Sequence, residues 1–318
     1  MWWHIVIFIL SCALLIKSGS WVVRSLTRIT KYLGMTEFMV AFVLMAGATT
    51  MPELFVGIVS GLNGTPELSF GNIIGSNIIN LTLAVGIGVL VAKGLKCDGA
   101  VLQRSSIYTI IIASLPLVLM LDGSISRVDG IILLLGLAAY IQRLFYYKER
   151  FTKIFSNSFG REWSKFKLFL KDLSVFLGSL IFLLVSAQGI VWSATGLAEQ
   201  LGLPLMIIGA VVVALGTNLP ELTFGIKSIT MGHKDMVLGN LLGAVVFNST
   251  LVLGVTVLLS PLEVSDISPY LIGIIFAVAA LLFFTVFSRT GREITRKEAI
   301  FLLLLYIGFV LAEMLGRH

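Results

Sequence analysis

Apolar stretches long enough to cross a lipid bilayer recur from one end of this chain to the other, and that recurrence leaves few folds open. Crossing the hydrocarbon core takes a helix of about 20 residues. Stretches of that kind fall near residues 3–23, 36–61, 67–91, 105–121, 128–146, 168–193, 203–229, 236–260, 266–287 and 298–315, which predicts about ten spans. Lipid offers no hydrogen bonds, so each span must satisfy its own backbone and folds as a helix. The expected class is an all-α integral membrane protein. Composition agrees: 57% of the 318 residues are hydrophobic and 13% are charged, far from the balance of a water-soluble domain.

The charges that remain are sorted by side. With an extracellular N-terminus, one set of loops collects nearly all the Lys and Arg, from Arg24, Arg28 and Lys31 through the central loop to Arg289, Arg292, Arg296 and Lys297. The other side keeps Arg127 and Arg317. The positive-inside rule then places the central loop in the cytoplasm and both termini outside, in a multi-pass protein of the plasma membrane. The net charge of +6 is thereby an orientation signal. Nucleic-acid binding is excluded as its explanation, because no separate basic domain gathers it. The first stretch lacks a basic n-region and runs on past Trp21, which reads as a retained helix rather than a signal peptide. Cys12 falls inside a span and Cys97 in a cytoplasmic loop, so no disulfide is expected between them.

Laid on itself, the chain repeats. Residues 46–58 read AGATTMPELFVGI and residues 214–226 read ALGTNLPELTFGI; residues 71–80 read GNIIGSNIIN and residues 239–248 read GNLLGAVVFN. One gapless offset of 168 residues aligns both pairs of blocks, Glu221 with Glu53 and Gly239 with Gly71. Two homologous halves follow, residues 1–147 and 167–318, joined by a cytoplasmic connector at 148–166. If each half holds five spans, an odd number, the second enters the membrane upside down relative to the first. Inverted-topology five-helix repeats with interrupted helices in matching positions point to a secondary transporter whose site lies at the repeat interface. Aromatic residues interleaved through the connector fit a helix on the membrane surface or a plain loop equally well.

Each first block sets a proline and a glutamate near mid-span, Pro52 with Glu53 and Pro220 with Glu221. A lone proline there is usually a kink. The ring cannot donate a backbone hydrogen bond and clashes with the carbonyl four residues back, which frees acceptors near Ala48 and Gly216. Those carbonyls must face protein, water or an ion. A carboxylate at the bilayer centre costs about 2.5–3.5 kcal/mol on insertion scales, and residues of this kind mark function by default. Two of them at symmetric positions call for a cation. Calcium takes six to eight oxygens as a rule, and the glutamates, the backbone oxygens near Thr49 and Thr217 and a water or two would supply that shell. Sodium suits the hydroxyls and carbonyls alongside.

Other residues carry open alternatives. Gly71 with Gly75, and Gly239 with Gly243, have the small-xxx-small spacing of close helix packing. Asn80 and Asn248 could orient a glutamate, bind the ion or bond another helix, and lining the site is the favoured reading. Ser76 is a candidate ligand whose counterpart, Ala244, has no hydroxyl. Lys17 could snorkel to an interface or pair with an acid elsewhere. An intramembrane enzyme lacks a nucleophile and base, since His4 and His318 lie at the termini and His233 in a loop.

At these residues the chain resembles the cation/calcium antiporter superfamily, and within it the prokaryotic sodium/calcium exchangers. The resemblance covers nearly the whole chain and rests on two motifs, each present twice: Gly-[Thr/Ser]-Ser-x-Pro-Glu and Gly-Asn-x-x-Gly-Ser-x-x-x-Asn. It implies ten helices in two inverted halves, with a peripheral pair of long helices sliding past a core to alternate access. It implies calcium held by Glu53 and Glu221 with the Thr49 and Thr217 carbonyls. Sodium would draw on the Ala46 and Ala214 carbonyls, Thr49, Thr50, Thr217 and Ser76, and Asn218, which replaces the motif serine, is a further candidate ligand. Ala48, Thr50 and Ala244 also depart from the motifs. The proton-coupled branch typically has Gly-Asn-x-x-Glu instead, so Pro52 and Pro220 favour sodium coupling. The expected function is exchange of calcium for sodium, with no enzymatic turnover and no cofactor; the transported ions and the bilayer are its partners. Proton-coupled exchange of calcium or another divalent cation is the alternative, and a cation channel a further one.

Overall fold

The computed structural model describes residues 2–32, 45–97, 100–146, 163–230 and 234–315. The start of the second span, His233 and most of the expected connector lie outside the described residues. Seven of the described helices are long and apolar enough to cross a membrane, and Met51–Leu62 and Tyr108–Asp122 are shorter apolar helices. The architecture is all-α and multi-spanning.

Two very long helices, α1 (Trp2–Tyr32) and α8 (Trp163–Leu201), pack along each other and supply the most extensive helix pairing among the described residues. At 31 and 39 residues they measure about 46 and 58 Å at 1.5 Å per residue, well beyond a bilayer core of about 30 Å. They must tilt or protrude. Their seam joins Cys12, Leu15 and Val22 to Leu183, Ala187, Ile190 and Ala194, while Ile9, Leu10, Leu177, Ile181 and Val185 stay exposed. The two helices run antiparallel: His4 reaches Gln200 at one end, and Arg28 pairs with Asp172 at 3.0 Å at the other.

Between Tyr32 and α8 the described chain forms α2 (Met45–Thr49), α3 (Met51–Leu62), α4 (Pro66–Ile79), a π-helical turn Asn80–Ala84, α5 (Val85–Ala92), α6 (Ala100–Leu119) and α7 (Arg127–Tyr146). After α8 come α9 (Leu205–Ile207), a π-helical segment Ile208–Val213, α10 (Ala214–Thr217), α11 (Leu219–Thr230), α12 (Lys234–Phe247), a second π turn Asn248–Val252, α13 (Leu253–Leu259), α14 (Ser268–Arg289) and α15 (Arg296–Leu315). The rods Pro66–Ala92 and Val237–Leu259 form the centre: 83% of each apolar window is buried, against 28% for the window of α15. On α14, Leu271, Ile275, Val278, Leu282 and Val286 make an exposed apolar stripe, and Tyr270, Gly273, Ala277, Ala280 and Phe284 turn inward. An apolar stripe at helical spacing on the outside of such a bundle faces lipid.

The glycine pair on α4 has the packing role its spacing predicts. A Cβ on Gly71 would run into the Met206 carbonyl, and one on Gly75 into that of Ala210, so the helix backbones touch there. The matching contact of Gly239 and Gly243 would involve residues 38 and 42, which lie outside the described residues. Two antiparallel bridges tie the chain across its length. Leu95–Lys96 (β1) pairs with Glu293–Ile294 (β4), and Ser124–Ile125 (β2) pairs with Leu262–Glu263 (β3). Before β2 and β4 the backbone turns through Gly123 and Gly291, both at positive φ, 168 residues apart.

Candidate functional site

Both proline–glutamate pairs sit just past a break in their helix. Thr50 separates α2 from α3 with φ −83° and ψ 2°, and Asn218 separates α10 from α11 with φ −83° and ψ −1°. Pro52 and Pro220 follow two residues later, where their missing N–H groups cannot serve the Ala48 and Gly216 carbonyls. Glu53 and Glu221 occupy the first turn of the helix that restarts. That end of a helix carries partial positive charge and favours a carboxylate.

The central rods bring the second blocks to these breaks, each to the break of the other half. Asn72, Ser76 and Asn80 are spaced by four, a single stripe of one helix, and all are fully buried. The Thr217 hydroxyl donates to Asn72 Oδ1 at 3.1 Å, and the Asn218 amide donates to Ser76 Oγ at 2.6 Å. In mirror fashion the Thr49 hydroxyl donates to Asn240 Oδ1 at 3.3 Å. Thr49 and Thr50 also reach the Ala46 carbonyl at 3.2 and 3.0 Å, and the Asn218 amide reaches the Ala214 carbonyl at 2.8 Å. Asn80 and Asn248 each open a π turn. The turn with Asn80 packs on α11, the helix of Glu221, and the turn with Asn248 packs on α3, the helix of Glu53.

At the centre the polar atoms go unmatched. Glu53 and Glu221 lie close enough to interact, Glu53 beside Thr217 and Glu221 beside Thr49. Their exposures are 0% and 1%, yet among the described residues none donates a hydrogen bond of ordinary geometry to any of the four carboxylate oxygens. Both amide atoms of Asn80 and of Asn248 are likewise unmatched, as are Asn72 Nδ2, Asn240 Nδ2 and Asn218 Oδ1. A buried polar atom left without a partner costs about 1–3 kcal/mol, more if charged. Such groups gathered in one place call for an ion or water. The donors on offer are carboxylate, amide, hydroxyl and carbonyl oxygens, a set that fits hard cations such as calcium or sodium.

Thus Ala46, Thr49, Thr50 and Glu53, with Ala214, Thr217, Asn218 and Glu221, flank the same pair of stripes as Ser76, Asn80 and Asn248. Lys17 lies apart on α1, its ammonium 5.7 Å from the Trp21 ring centroid. Asn72 and Asn240 escaped selection from sequence, although both stand in the repeated Gly-Asn pairs at the common offset. The π turns have no sequence signature at all.

Residues 3–146 and 171–315 match the family described as "Sodium/calcium exchanger protein". Over 96% of its length the chain is 28% identical to the sodium/calcium exchanger MaX1 of Methanosarcina acetivorans, covering 97% of that protein. It is 26% identical to a putative antiporter, CaxA, of Alkalimonas amylolytica, with 95% of this chain and 96% of that one covered. Among solved structures, the sodium-calcium exchanger NCX_Mj soaked with sodium and strontium superposes with a TM-score of 0.68 at 25% identity, over 99% of both chains.

Proposed function

The chain belongs to the sodium/calcium exchanger protein family, and from that premise we propose that it is a secondary antiporter exchanging calcium for sodium by alternating access through the site around Glu53 and Glu221. The observation that carries this reading is the pair of fully buried carboxylates, 168 residues apart, whose oxygens receive no hydrogen bond of ordinary geometry among the described residues. Left charged and empty in a low-dielectric interior, they resist crossing the membrane until a cation refills them, which is the behaviour that makes an exchanger rather than a leak.

In this reading calcium is held by both carboxylates and the Thr49 and Thr217 carbonyls. Of the sodium ligands expected from the motifs, the Ala46 carbonyl, Thr49 and Thr50 serve one ion beside the carboxylates, whereas the Ala214 carbonyl, Thr217 and Ser76 form the matching cradle that the Asn218 amide enters. Asn80 and Asn248 line the site. The ten spans fall into two inverted five-helix repeats, residues 1–147 and 167–318. The crosswise bridges support that symmetry, because β1 overlaps β3 and β2 overlaps β4 at the 168-residue offset, yet β1 pairs with β4 and β3 with β2. The long pair α1 and α8 is suited to slide along the core as a unit. The protein lies in the plasma membrane with both termini outside, as the sidedness of its basic residues supports.

The test is uptake of radioactive calcium into proteoliposomes preloaded with sodium or with sodium-free buffer, with and without a pH gradient. Uptake that follows the sodium gradient is the expected result. Uptake driven only by protons would keep the site and replace the coupling ion. Conductance on the scale of a channel, with no counter-flux, would end the exchanger reading.

A further inference from the structure

The two halves of the site differ at one contact. In the first half the residue after the ligand-bearing threonine is Thr50, whose hydroxyl turns back to the Ala46 and Gly47 carbonyls at 3.0 and 3.2 Å. The repeat mate of Ser76 on the rod that faces it is Ala244, which has no oxygen on its side chain. In the second half the residue is Asn218, and its amide nitrogen bridges two oxygens, Ser76 Oγ at 2.6 Å and the Ala214 carbonyl at 2.8 Å. A carbonyl only accepts, so the nitrogen and not Oδ1 must face Ala214. Thr217 Oγ1 lies 3.4 Å from the same carbonyl. Asn218, Ser76 and Thr217 are all fully buried. A carbonyl and two hydroxyls, buried beside a carboxylate, make a cradle for a hard monovalent cation. Here an amide nitrogen fills it.

We infer that Asn218 is a built-in neutral occupant of a monovalent-cation position, and that the chain therefore exchanges two sodium ions, not more, for each calcium. The inference rests on the proposed function. The amide satisfies the oxygens that an ion would satisfy, brings no charge and cannot leave. Two carboxylates balance one calcium or two sodium ions. A third sodium would give the buried site a net positive charge, and its most obvious cradle is closed by Asn218, while Ala244 withholds the equivalent hydroxyl in the other half. Electroneutral exchange is the consequence.

The experiment is sodium-driven uptake of radioactive calcium into proteoliposomes whose voltage is clamped with potassium and valinomycin. For the wild-type chain, rate and final accumulation should not change between inside-negative and inside-positive potentials. An outward sodium gradient of about tenfold should support a calcium gradient of about a hundredfold, the square of the sodium ratio. Asn218→Ser opens the cradle, and there the Hill coefficient for sodium should rise by about one and uptake should become voltage-dependent. Voltage-dependent uptake by the wild-type chain would overturn the inference while leaving the exchanger reading intact. So would Asn218→Ser exchange with wild-type cooperativity and no voltage dependence. The wild-type measurement decides alone if that variant does not fold. No sodium-driven uptake in the wild-type chain would overturn the proposed function and this inference together.

Discussion

Asn72 and Asn240 do for the two threonines what a clamp does for a ligand: each side-chain oxygen fixes a hydroxyl that belongs to the other half. Asn72→Ala and Asn240→Ala each remove one of two acceptors from a buried hydroxyl, a loss of about 0.5–1.5 kcal/mol. Calcium titrations of uptake should show affinity weakened by about tenfold in each variant, and an unchanged half-saturating concentration would deny these amides a part in the site. The glutamates and prolines were legible in the sequence because each violates a rule of membrane helices. The asparagines were not, because a polar amide between helices is as often a packing bond as a ligand's support. Lys17 shows the same limit. A charge inside a span suggested an interface or an acid, and the structure sets it over the Trp21 ring, a partner close by on the same helix.

Elements were read less evenly. The apolar stretches marked where helices lie, but α1 and α8 run past them because polar residues at a membrane surface continue a helix without penalty. The π turns at Asn80 and Asn248 could not be anticipated, since one added residue per turn leaves the composition of an all-buried rod unchanged. The small-xxx-small spacing was legible, and the structure adds the identity of the surface it meets. Gly71→Val or Gly75→Val should force apart the backbones at Met206 and Ala210, and size-exclusion profiles in detergent should show aggregation or loss of the monodisperse peak. Gly178→Ala is the control. That glycine lies within α8 with nothing within 4 Å of a Cβ placed on it. The change should be neutral or stabilise the helix by up to about 1 kcal/mol. A normal profile for Gly75→Val would contradict the contact.

For the whole molecule, the repeat was the most legible feature, because a gapless offset joins residues far apart in the chain. What it could not convey is the crossing. Each stripe of polar residues serves the helix break of the opposite half, so neither half holds a complete site. One consequence is that an ion binding at the centre fastens both halves together. A ligand at a hundred times its dissociation constant stabilises the folded state by about 2.7 kcal/mol. Calcium should accordingly raise the thermal midpoint of the detergent-solubilised protein, and a chelator should reverse the shift; no shift at saturating calcium would argue against a central site.

If Glu53 and Glu221 together carry the divalent ion, calcium–calcium exchange reveals it without reference to the coupling ion. Proteoliposomes loaded with unlabelled calcium would be diluted into radioactive calcium, using the wild-type chain, Glu53→Gln and Glu221→Gln. Each variant keeps the size of the side chain and removes its charge. Isotope exchange is expected from the wild-type protein and none above protein-free vesicles from either variant, with both variants folded by size-exclusion. Exchange at the wild-type rate in either variant would contradict that shared role.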